Sequence, residues 1–170
     1  MAHELLHVLF MRQGYPGIEF REKSVPIGIP ELANLIDDAV IHPVLWRDLR
    51  RRGFDDSAYW NTELLKLNTA GGAELPLAAH TGTLCDAIAF ADIVASSGLA
   101  PDPLFTSAEP HSPVTVSLAK QFCSIITHDN GTTPESRAAG MESLITKVDD
   151  VLIAAGFQYF RLRTWVSVSR

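Results

Sequence analysis

The chain has 170 residues, 46% of them hydrophobic and 20% charged, and its net charge is -6. One domain with a sizeable core follows from that length, and the composition excludes general disorder. The acidic balance excludes a surface that grips nucleic acid throughout, though not a local basic patch.

Two cysteines, Cys85 and Cys123, are too few for a disulfide framework. No apolar run approaches the ~20 residues that span a bilayer, and Glu4 with two early histidines breaks any secretion signal. The expectation is a soluble, intracellular chain with no membrane partner.

In chain order, "ELLHVLFMR" (4–12) is apolar on both parities and reads as a strand buried on two faces. "QGYPG" (13–17) turns the chain, and "IEFREKSV" (18–25) alternates as a half-exposed strand, so the two runs predict a β-hairpin. Pro30 suits a helix start, and Leu32, Leu35, Ile36, Ala39 and Val40 form one apolar face. His42-Pro43 predicts a break, with a second helix running to Arg50-Arg51-Arg52-Gly53.

Asp55, Asp56 or Ser57 can cap a helix bearing Trp60, Leu64, Leu65 and Leu67. Thr83 to Asp86 resembles a capping box ahead of a helix over 84–97. "APDPLFTSAEPHSP" (100–113) reads as a Pro-rich loop, and 113–128 leans to helix over strand. Residues 129–136 are polar, with Gly and Pro, and predict a protease-sensitive connection between a core (1–128) and a C-terminal helix and strand (137–170). Met141, Leu144, Ile145, Val148, Val151 and Leu152 mark the helix, and "FQYFRLRTWVSVS" (157–169) alternates as the strand. The expected fold is α+β: a small, mostly antiparallel sheet gathers both termini, with helices on one face.

One catalytic spelling is present: His3-Glu4-Leu5-Leu6-His7 matches H-E-x-x-H, in which a helix aims both histidines at zinc and the Glu activates water. On a strand, His3 and His7 would share a face and Glu4 would point away. Positions 13 and 14 are Gln and Gly, so the longer pattern with a third His is absent. The reading therefore assigns no catalytic residue, metal or cofactor, and keeps a zinc hydrolase on His3, Glu4 and His7 as the alternative. The Asp37-Asp38, Asp55-Asp56 and Asp149-Asp150 pairs read as caps and solvated faces. His42, which precedes Pro43, reads with His80, His111 and His128 as a surface or capping histidine.

Tyr159, Arg161, Arg163 and Trp165 share one face of the predicted C-terminal strand. Such a face is an expected protein interface, and a second alternative is stacking and phosphate contact with single-stranded RNA. Large apolar residues on both faces of the strands predict a homodimer or higher oligomer. A compact N-terminal core, the break "HDNGTTPES" and a shorter C-terminal part, in a chain of this length, resemble the minor assembly protein of enveloped double-stranded-RNA bacteriophages. The resemblance is one of layout and carries over no functional residue. It implies a non-enzymatic, oligomeric cofactor of capsid assembly and RNA packaging, partnered by other capsid proteins, in the cytoplasm or the virion interior.

Overall fold

The computed structural model describes residues 5, 7–9, 12, 17–20, 28–69, 76–128, 133–154 and 166–168, and only the backbone of 19, 20, 64–69, 76–81 and 166–168. Within them the order is β1 (Ile18–Phe20), α1 (Ile29–Arg51), α2 (Ser57–Thr69), α3 (Pro76–Ser97), α4 (Pro101–Ala108), α5 (Pro113–His128), α6 (Pro134–Ala154) and β2 (Val166–Val168).

This is a helical fold, and it overturns the α+β expectation. Residues 7–9 are helical, so the run 4–12 is no strand of a hairpin. Ile18–Phe20 pairs antiparallel with Val166–Val168 instead, a ladder of three residues on each side. The hairpin's share of the ground for expecting self-association goes with it, while residues 157–165 of the C-terminal run lie outside the described residues.

Helix α3 is apolar nearly all round, with Leu84, Ala87, Ile88, Phe90, Ala91, Ile93 and Val94 buried, as a central helix must be. It packs chiefly on α1 and α5, and α6 closes the core against α1 and α5. Ile36, Ile88, Phe122, Met141 and Leu144 meet in that core. A second, smaller cluster joins Ile41, Leu45, Trp46, Leu49, Trp60 and Ile93. No helix among the described residues is long and apolar enough to cross a membrane.

Two proline signals resolve differently from the sequence expectation. Pro101 and Pro103 begin α4 rather than filling a loop; proline in a first helical turn forfeits a donor that has no partner anyway. Pro43 does not break its helix: α1 runs through it for 23 residues. Proline removes the N–H that would reach the carbonyl of residue 39 and crowds that turn. Arg137 of α6, 2% exposed, braces the same turn by donating Nη1 to the Val40 carbonyl and Nη2 to that of Ile41.

Thr133 and Ser136 cap α6 reciprocally, each backbone N–H donating to the other's hydroxyl at 3.2 Å. Half of the expected connection at 129–136 is thus a helix start, and 129–132 lie outside the described residues.

The far end of α1 is held to α3 by Arg50. It donates to the Ser96 carbonyl and pairs with Asp56 at 2.7 Å, and Asp56 also accepts from Trp60 Nε1 at 2.7 Å. Gly98 ends α3 with φ 73°, and a Cβ there would lie 3.2 Å from Arg50 Nη1. Gly98→Ala is expected to lower stability by about 1–2 kcal/mol, the cost of a left-handed residue with a side chain. Urea unfolding checks this, and an unchanged midpoint would count against it.

Candidate metal centre

Helix α1 carries Asp37, Asp38 and His42 in the turns just before Pro43. Asp38 and His42 are four residues apart and so lie one above the other on the helix face. His42 Nε2 stands 3.7 Å from Asp38 Oδ1. The other ring nitrogen, Nδ1, donates to Asp92 Oδ2 of α3 at 2.6 Å. Ser96 Oγ donates to the second Asp92 oxygen at 2.7 Å, fixing the carboxylate from behind.

The histidine is 5% exposed. With Nδ1 directed at Asp92, the other ring nitrogen, Nε2, faces Asp38. Burial works against a charged His42 ring, but the Asp92 charge and hydrogen bond, together with Asp38 and Asp37, raise its pKa overall.

His7 completes the cluster. Its ring meets His42 edge-on, with centroids 5.4 Å apart and planes at 75°. One ligand atom from each of His7, Asp38 and His42 lies within 4.8 Å of the others. Ligands about 2.1 Å from a tetrahedral ion are about 3.4 Å apart. The Asp38–His42 pair is already near that spacing, and a His7 ring nitrogen lies within 4.8 Å of both.

Asp37 adds negative charge beside the cluster. Burial and the neighbouring Asp38 push its carboxyl up to about 6, against the opposing pull of His42 and Arg137. Its buried Oδ1 has no hydrogen-bond partner among the described residues. Two nitrogens and a carboxylate oxygen, with a carboxylate behind one histidine, form the donor set of zinc-class sites. Hard ions such as Mg²⁺ and Ca²⁺ prefer all-oxygen ligands.

The thiols take no part. Burial first, then Glu31 and Asp86, push Cys85 up to about 12, and burial raises Cys123. Iodoacetamide is expected to label both cysteines far faster in urea than in the native protein. Equal rates would contradict the burial of Cys123 and the partial burial of Cys85.

Of the residues singled out in the sequence, His7 is at this site, while His3 and Glu4 lie outside the described residues. Tyr159, Arg161, Arg163 and Trp165 do as well. Asp38 and His42 were expected to be a solvated carboxylate and a surface or capping histidine, and Asp92 carried no expectation. A D-x-x-x-H spacing on the apolar-faced helix was the available signal for the first two; Asp92 comes from another helix and had none. No protein-family model, curated protein or solved structure matches the chain.

Proposed function

We propose that the chain is a divalent-metal protein whose zinc-class ion is held by His7, Asp38 and His42. The observation that carries this is the preset geometry of His42. One ring nitrogen is locked onto Asp92 at 2.6 Å, the other stands 3.7 Å from Asp38, and the His7 ring meets this ring edge-on. A buried imidazole held by a carboxylate is the arrangement that fixes a metal-ligating tautomer and raises its basicity.

The field supports the same reading. Asp37, Asp38 and Asp92 surround His42, and a divalent cation offsets their mutual repulsion. Three protein ligands leave a coordination position for water or a substrate oxygen, the pattern of Lewis-acid sites. The reading shares one residue, His7, with the H-E-x-x-H alternative and does not need Glu4 as a base.

The test is equilibrium dialysis of purified, untagged chain against zinc, followed by metal analysis. About one zinc per chain is expected, and cobalt should give the strong visible absorption of a four-coordinate site. Magnesium and calcium should not compete. Zinc retained by an Asp38→Ala/His42→Ala double variant, or none bound by the wild type, overturns the proposal.

A further inference from the structure

We propose that the ion at this site fastens the N-terminal segment to the helical bundle, so that site occupancy controls whether the segment is docked. The inference rests on the metal reading above.

The ligands divide into two unequal groups. Asp38 and His42 share one face of α1, and their side of the site is assembled within the bundle: Asp92 holds His42, and Arg137 holds the carbonyls of Val40 and Ile41 in the same turns. His7 arrives from the helical turn at 7–9, upstream of β1. Among the described residues of that segment, apolar burial is slight. Leu5, Val8 and Leu9 are 65%, 50% and 43% exposed, whereas His7 is half-buried against His42. Among the described residues of this segment, the one that reaches the bundle is the one able to ligate.

An ion bound by Asp38 and His42 alone is held weakly. The third ligand is intramolecular, so it acts at a high effective concentration once the segment is in place. Linkage then sets the size of the effect. The factor by which His7 raises zinc affinity equals the factor by which zinc favours docking. For a ligand that factor is expected to be at least about 100-fold, above the 10–100-fold typical of groups that only orient ligands.

Hydrogen–deuterium exchange over residues 5–12, read beside zinc affinity for the full chain, tests this. In the wild type, stoichiometric zinc should slow exchange in that stretch. In His7→Ala, zinc should still bind, weakly, at Asp38 and His42, and saturating zinc should leave residues 5–12 unprotected. Zinc bound by the wild type with exchange over 5–12 unchanged overturns the docking role and leaves the metal site standing. Protection that persists in zinc-loaded His7→Ala also overturns it. Absence of zinc binding by the wild type overturns the metal reading, and the docking role with it.

Discussion

Replacing His42 with alanine should abolish the rise in unfolding temperature that zinc produces in the wild type. An ion bound only by the folded chain stabilises it by about 2.7 kcal/mol when free zinc is a hundredfold above the dissociation constant. For a chain of this size that is about 5–10 °C. His42 is the natural residue to remove because it joins both halves of the site, with Asp38 at 3.7 Å on one side and Asp92 at 2.6 Å on the other. Its loss also takes the Nδ1 hydrogen bond from Asp92 and leaves that carboxylate to Ser96 alone, so the metal-free variant will itself melt lower. The informative quantity is the zinc-induced difference within each variant. Asp92→Asn keeps all three proposed ligands but loses the carboxylate that orients the ring, and should weaken zinc about 10–100-fold. His128→Ala, at the exposed end of α5, should keep the full shift. An equal shift in wild type and His42→Ala would rule out this site.

The features legible in the sequence were those with a complete local signal. Helix α6 announces itself by Thr133-Pro134 and by Met141, Leu144, Ile145, Val148 and Leu152 on one face, all buried. Helix α5 offered a second pattern: Val114, Val116 and Leu118 alternate as in a strand, yet Val116, Ala119, Phe122 and Cys123 are the residues its helical face buries. The N-terminal run could not be resolved that way. Apolar residues on both parities fit a buried strand and a helix equally, and periodicity carries no vote between them. Pro43 misled for a different reason. Proline is a local penalty, and the residue that offsets it, Arg137, lies in another helix far along the chain. The metal cluster was hidden by the same fact. Asp38 and His42 both precede the expected break at His42-Pro43 and are neighbours on the helix, but His7 and Asp92 approach from elsewhere in the chain.

Arg137→Met should cost about 3–5 kcal/mol, the range for removing one partner from a buried charged arrangement. That is a large part of the 5–15 kcal/mol typical of whole domains, and corresponds to a fall of about 6–20 °C. The substitution nearly conserves volume, so lost packing is not the main term. What it removes is the donor fork on the Val40 and Ile41 carbonyls, beside a proline that has already weakened that turn, and the positive charge that offsets Asp37. Arg137→Lys keeps the charge but not the planar fork and should fall between the two. The mechanism makes a further demand. Pro43→Ala restores an N–H to the helix and relieves the crowded turn, so its carbonyls depend less on Arg137. In that background Arg137→Met should therefore cost less, by about 1 kcal/mol, measured as the coupling in a double-mutant cycle. If Arg137→Met alone lies within about 0.5 kcal/mol of wild type, as an ordinary surface substitution would, Arg137 does not brace the turn. If the cost is large but the same in both backgrounds, Arg137 stabilises the bundle by another route, and the continuity of α1 through Pro43 has a different cause.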